Sequence, residues 1–240
     1  MSQTIRATVW NEYYGEKKYD EVKAVYPNGI HAQVAALLNE QPDITARTAT
    51  LEEPEHGLTE EVLASTDVLF WWGHAKHHLV EDAVVDRVVK HIWSGMGFVA
   101  LHSAHACKVM HRLLGTQTGK LRWHEEGLMT RVWKIDYTHP IAEGIGDYFE
   151  LPHEETYGEH FDIPAPDELV FVSWFPSGEV FRSGCCWKRS GGKIFFFQPG
   201  HETFPTYYDE NVKKVLVNAA RWASRPSRIS YVSDETKALS

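Results

Sequence analysis

Cysteine is scarce in this chain: three in 240 residues, at Cys107, Cys185 and Cys186. Two of them are adjacent and cannot easily bridge each other, and no CxxC pair occurs. That excludes a disulfide framework and a cysteine-built zinc finger. Long apolar runs are missing as well. Nothing approaches the roughly 20 residues needed to cross a bilayer, so no membrane partner is expected. The N-terminus, "MSQTIRATVW", lacks the basic-then-apolar order of a secretory signal, so a cytoplasmic protein with free, buried thiols is expected. Basic residues are outnumbered, 24 Lys and Arg against 33 Asp and Glu, for a formal charge of -9. Nucleic-acid backbones, whose binding relies on clustered cations, are therefore not expected as partners. A small, neutral or metal-bound substrate suits such a chain better.

What is abundant is histidine, with 14 residues, and tryptophan, with nine. Both types gather where polar chemistry meets an aromatic wall, although most of the histidines taken singly read as surface decoration. "IRATVW" reads as a first buried strand, and the polar, aromatic "NEYYGEKKYDEVKAVYPNG" after it as a long loop. "IHAQVAALLNEQ" sets Ile30, Val34, Leu37 and Leu38 at helical spacing until Pro42 stops it. A strand "ITARTATL", a short helix "LTEEVLAST" and an apolar strand "DVLFWW" follow. Next come a helix through "LVEDAVVDRVVKHIWSG", a strand "GFVALH" and a helix "SAHACKVMHRLLG" that closes at Gly115. Beyond it, "LMTRVWKI", "ELVFVSWF", "EVFRSGCCWKR" and "KIFFFQPG" are strand-like, and "DENVKKVLVNAARWA" returns to a helix. This alternation predicts an α/β fold, a mostly parallel sheet with helices on both faces and added antiparallel strands. One domain is expected over residues 1–224. The polar tail at 225–240 is either an arm over a neighbouring subunit or a frayed end.

In such sheets ligands sit beyond the carboxyl ends of the strands. Asn11-Glu12, Gly73-His74 with His77 and His78, His102-Ser103 and Gly200-His201-Glu202 all fall there. Glu154, Glu155, Tyr157 and His160 lie in "PHEETYGEHF", read as a loop between later strands. His102 ends an apolar run, where a polar ring must find a partner or cost stability, and it is read as a base or metal ligand. Ser103 either caps the following helix or acts as a nucleophile on a strained strand-to-helix elbow. Cys107, more than a helical turn further on, is expected to pack. His201 beside Glu202 suits a base with an orienting acid, or metal ligation. The neighbouring carboxylates Glu154 and Glu155 either raise each other's pKa or recruit a cation. His74 and His124 are expected to line the pocket. Trp72 and Trp123 would offer flat faces to sugar rings, against the commoner fate of tryptophan as core.

"GFVALHSA", the "HPI" at His139–Ile141, the "ETY" at Glu155–Tyr157 and "FFFQPGHE" followed by "VLVNAARWA" occur in a fixed order along the chain. In these motifs the chain resembles the ThuA-like (trehalose utilisation) family from about Ile5 to Trp222. The resemblance implies a flavodoxin-like, three-layer α/β/α fold of the class I glutamine amidotransferase-like kind. Where true amidotransferases carry a cysteine, the elbow here reads His102-Ser103, and the later "HPE" becomes "PGHE". Glutamine hydrolysis is therefore not expected. The resemblance further implies that His102, Glu155, Tyr157 and His201 face one cleft as catalytic groups; Ser103, His74, Trp72, Trp123, His124 and Glu202, placed by the reading of the residues themselves, are expected toward the substrate. The implied activity is carbohydrate catabolism, on a trehalose-type disaccharide or keto-sugar, by acid-base chemistry. A divalent metal, zinc first, would sit on His102, Glu155 and His201, and no nucleotide cofactor is expected. A sugar-sensing or scaffolding protein, and a hydrolase pairing Ser103 with His201, stay open as alternatives. The aromatic content and the tail together lead to the expectation of a homo-oligomer.

Overall fold

Nine strands form one sheet in a computed structural model that describes residues 4–225, 227 and 228. They are β1 (Ile5–Asn11), β2 (Ile44–Thr50), β3 (Val68–Trp72), β4 (Gly97–Leu101), β5 (Arg122–Lys134), β6 (Tyr148–Gly158), β7 (Glu168–Trp174), β8 (Val180–Arg189) and β9 (Gly192–Phe197). The helices are α1 (Gly15–Lys18), α2 (Asp20–Val25), α3 (Ile30–Asn39), α4 (Glu60–Ala64), α5 (Asp82–Trp93), α6 (Lys108–Leu114) and α7 (Glu210–Ala223). Across the sheet the strands run β2-β1-β3-β4-β9-β8-β7-β5-β6. The first five are parallel and, with β9 counted as the fifth strand, follow the 2-1-3-4-5 order of flavodoxin-like sheets. The remaining pairings are antiparallel, so the antiparallel share of this mixed sheet is larger than the sequence suggests.

β3 and β4 are buried at every residue because helices cover both faces of the sheet. Uninterrupted apolar runs are what two-sided burial requires. Strand alternation sends Phe70 and Val99 to one side, where α3 and α7 bring Val34, Leu38, Val212 and Leu216. It sends Leu69, Trp71 and Phe98 to the other, against Leu63 of α4, Val85 of α5 and Met110 of α6. Each such side chain contributes about 1.5–3 kcal/mol by leaving water. The same parity splits Cys186 from Cys185, which lie in opposite core clusters as free thiols.

Three local expectations are corrected. The stretch after β1 is not a long loop but contains α1 and α2, which bury only Gly15, Glu16 and Val22 and so show no apolar period. "PHEETYG" is part of β6, not a loop, and pairs antiparallel with β5. Its buried positions include Glu154, Glu155 and Thr156, so the apolar alternation that marks a strand is missing. The helix expected from Ser103 begins later: a 3-10 turn covers His102–Ala106, and α6 starts at Lys108 with Cys107 as its N-cap. The Cys107 sulfur accepts the Met110 N–H at 3.4 Å, and burial pushes its thiol up to about 12. Ser103 is not the cap. Gly115 closes α6 with φ 70°, as expected. The polar tail at 225–240 lies outside the described residues apart from Arg225, Ser227 and Arg228. Among the described residues no helix is long and apolar enough to cross a membrane.

Candidate functional site

The carboxyl ends of β1, β3, β4 and β9 converge with β6 on a buried cluster of imidazoles and carboxylates. Its centre is the turn after β4, where His102 takes φ 52°, a left-handed conformation that costs a non-glycine residue about 1–3 kcal/mol. That turn folds the fully buried ring over the sheet end. Nδ1–H donates to the Gln198 carbonyl at 2.8 Å, just beyond β9, which leaves Nε2 facing the cluster. Nε2 lies 2.9 Å from Glu155 Oε2, but off the line a hydrogen bond requires, so neither atom is satisfied by the other. Burial alone would depress the His102 pKa. The short contact with Glu155 and its charge, with the charge of Glu154 behind, outweigh burial and carry it up to about 9.

Glu155 and Tyr157, two apart on β6, address the same side of the strand. The Tyr157 ring stacks on His102, centroids 5.2 Å apart, and its hydroxyl lies 3.2 Å from Ser103 Oγ. That hydroxyl is the hydrogen-bond partner found for Ser103 Oγ among the described residues; no imidazole is in place to activate the serine.

The loop leaving β9 is held from below. Gly200 has φ 139°, and a Cβ there would run into the Tyr207 hydroxyl. Its N–H donates to Glu154 Oε2 at 2.8 Å. Glu154 also accepts from the N–H groups of His201 at 3.1 Å and Glu155 at 2.9 Å, and from the Thr206 hydroxyl at 2.8 Å. Four donors thus converge on one buried carboxylate; burial raises its pKa, and the charge of His102 and these bonds oppose that rise. His201 Nδ1 lies 2.8 Å from the Thr203 hydroxyl and 3.3 Å from the Thr203 N–H. Nδ1 accepts that N–H, and the hydroxyl can donate to it as well, so in the neutral ring the proton is on Nε2; an ion bound at Nε2 would shift it to Nδ1, where the Thr203 hydroxyl can accept it. Burial first, and then the charge of His102, lower the His201 pKa to about 4, so the ring is neutral at pH 7.

Glu202 Oε1 lies 2.7 Å from His74 Nδ1. Burial would raise the Glu202 pKa, but this bond and the His74 charge bring it down to about 2; reciprocally, Glu202 raises His74 against the effect of burial. His74 is set in place by Glu12, whose carboxylate accepts the N–H groups of His74, Ala75 and Lys76 at 2.8–2.9 Å.

Among the described residues, His102 Nε2, Glu155 Oε2, His201 Nε2 and Glu202 Oε2 are all buried without a hydrogen bond, the contact of the first two being one of charge alone. Leaving such an atom unpaired costs about 1–3 kcal/mol. Donor atoms of His102, Glu155 and His201 lie within 4.8 Å of one another, as do those of His74, His201 and Glu202. Two or three imidazoles with one or two carboxylates are a donor set for zinc or a similar divalent ion. A ligating histidine whose other N–H is bonded to a backbone carbonyl, as at His102, is the usual supporting arrangement. The residues therefore fit such an ion. His139, Glu168 and Cys186 are grouped as closely. There, however, His139 Nδ1 accepts the Ile141 N–H and Nε2 lies 3.1 Å from Glu168, which leaves no free lone pair.

When no ion is bound, His102 carries a proton up to about pH 9, and an ion must displace it. Zinc affinity accordingly rises from pH 6.5 toward 9 and levels off above it. Calorimetry in buffers of different ionisation enthalpy should count about one proton released per ion near neutral pH. A release of none would place the proton elsewhere.

Beside the cluster lies a cavity of about 210 Å³ lined by His74, Ser103, His105, Trp123, Glu155 and Tyr157 among others. Trp123 stands at its rim, 61% exposed. Trp72 offers no face to a ligand: it is buried, and its Nε1–H donates to the Gly200 carbonyl at 3.0 Å. His124, next to Trp123 on β5, points away by strand parity, toward Glu126 and Glu179 at 3.6 and 3.9 Å. His78 and His160 are exposed. Sequence reasoning passed over His105, whose one signal is its place three residues after His102.

A family model described as ThuA, trehalose utilisation, matches residues 6–223. Solved structures of similar fold include a ThuA-like protein from Parabacteroides merdae ATCC 43184, 12% identical, with TM-score 0.64 and 96% of this chain and 93% of that one covered. Another is a ThuA-like protein from Bacteroides uniformis ATCC 8492, 16% identical, with TM-score 0.63 and 92% of each chain covered. A third is a cytoplasmic protein from Salmonella typhimurium LT2, 10% identical, with TM-score 0.59 and 92% of this chain and 100% of that one covered. At such identities the likeness is one of fold. No curated protein matches the sequence.

Proposed function

The chain belongs to the ThuA, trehalose utilisation, family, and from that premise we propose that it is an enzyme of carbohydrate use. It acts on a trehalose-type disaccharide, or a keto-sugar derived from one, by acid-base chemistry assisted by a divalent metal. The observation that carries this reading is the meeting of four buried, unpartnered donor atoms on His102, Glu155, His201 and Glu202 beside a cavity open to solvent. His102, Glu155 and His201 would hold the ion, with Glu202 and His74 next to it. Bound there, it would supply Lewis acidity toward a sugar carbonyl or hydroxyl.

The chain's own groups divide the remaining work. His74, about one third exposed and bonded to Glu202, can carry a proton between the cluster and the cavity. The Tyr157 phenol stays protonated, because burial raises it well above its ordinary value, and with Ser103 it can donate to a sugar oxygen. A thiol nucleophile of the amidotransferase kind has no counterpart at the elbow, since Cys107 caps α6 in the core.

Trehalose and its keto derivative, incubated with zinc-loaded and with zinc-stripped protein and followed by chromatography, test the reading. Consumption by the loaded protein is expected, with a rate lowered about 10²–10⁴-fold in His74→Ala. Sugar binding without turnover, whatever the metal content, would instead make the protein a sugar sensor.

A further inference from the structure

The cavity beside the cluster is small, and among the described residues its lining carries no lysine or arginine. Its volume, about 210 Å³, falls below the roughly 300–1,000 Å³ of pockets for drug-sized ligands. It corresponds to about seven water molecules at ~30 Å³ each. One six-membered sugar ring occupies such a space, and a second would extend past its opening into solvent.

The polar lining consists of hydroxyls, imidazoles and two carboxylates. Ser103 and Tyr157 present hydroxyls. His105 donates Nδ1–H to the Thr118 carbonyl at 2.8 Å, which leaves Nε2 as an acceptor. His77 also lines the cavity, and its Nε2 is buried with no partner. A sugar hydroxyl, at once donor and acceptor, can satisfy each of these atoms. Among the described residues no lysine or arginine lines the cavity, and its anionic lining residues are Glu125 and Glu155. The cationic side chain in the lining, His74, is already paired with Glu202 at 2.7 Å, so a phosphate or carboxylate on the ligand would meet Glu125 and Glu155 without an unpaired side-chain cation to replace its water. Trp123, opposite Tyr157 across the β5–β6 pair, lines the cavity at its solvent-exposed opening.

We propose that this cavity takes a single uncharged pyranose ring, so that a disaccharide binds with one ring inside and the other beyond Trp123 in solvent, while sugar phosphates and sugar acids are rejected. This rests on the reading of the chain as a carbohydrate enzyme and narrows its substrates.

Isothermal titration of the zinc-loaded protein with D-glucose, trehalose and glucose 6-phosphate, and with the keto derivatives of the first two, tests it. The one-ring and two-ring sugars should bind within about threefold of each other, and glucose 6-phosphate at least ~10-fold more weakly than glucose. Trp123→Ala should weaken glucose and trehalose alike, by about 10-fold. Trehalose binding 10-fold or more tightly than glucose, or glucose 6-phosphate binding as well as glucose, would overturn the one-ring cavity and leave the carbohydrate reading standing. Failure of every sugar, plain or oxidised, to bind or turn over would overturn both.

Discussion

Changing Glu155 to Gln lowers zinc affinity by at least about 100-fold and takes turnover with it. The amide keeps the shape of the side chain, so the packing against His102 and Tyr157 survives and the effect is electrostatic. Glu155 Oε2 lies 2.9 Å from His102 Nε2 and brings a negative charge to a site otherwise built from imidazoles and Glu202. Without that charge the site holds a dication less well, and the amide NH2 competes to face the imidazole lone pairs. Elemental analysis of the purified variant, with a zinc titration beside the wild type and a melting curve to show that the fold is kept, reads the effect. Wild-type affinity in E155Q would remove Glu155 from the ligand set.

The largest loss of stability is expected at the neighbouring residue, in Glu154→Leu. Four donors point at the Glu154 carboxylate: three backbone N–H groups, from Glu155, Gly200 and His201, and the Thr206 hydroxyl. Leucine satisfies none of them, and each buried donor left unpaired costs about 1–3 kcal/mol. Partial relaxation of the loop reduces the sum to on the order of 5 kcal/mol, in the range reserved for the breaking of a buried network. At roughly 2–4 °C per kcal/mol for a domain of this size, the melting temperature should fall by about 10–20 °C. Glu154→Gln, whose amide oxygen still accepts, should lose about half as much. Because the same bonds hold His201 and Glu202 in place, zinc affinity should drop in both variants. A melting temperature within about 2 °C of wild type for Glu154→Leu would mean that the loop finds other partners.

The contrast between these two glutamates shows where the sequence is readable. It presents "HEETY" as a pair of neighbouring carboxylates, but not that Glu155 turns toward His102 while Glu154 turns to the loop leaving β9. Strand parity decides that, and the strand itself was hidden because its inward residues are charged. β3 and β4 were legible for the opposite reason, since burial on both faces leaves no polar residue to interrupt "VLFWW" and "GFVAL". His102 stood out because a polar ring ends such a run. The start of α6 was misplaced because a cysteine, a rare cap, does the work expected of Ser103. Trp72 and Trp123 look alike in sequence; one lies beneath the Gly200 loop and the other on the rim of the cavity, a difference set by the topology of the sheet.

Crystals grown with zinc, with diffraction recorded on both sides of the zinc absorption edge, provide the most direct measurement. The expected result is an anomalous peak at about 2.0–2.2 Å from His102 Nε2, Glu155 Oε2 and His201 Nε2. No peak at that cluster in the presence of zinc, or a peak at His139, Glu168 and Cys186 instead, would contradict a metal-assisted enzyme at this site.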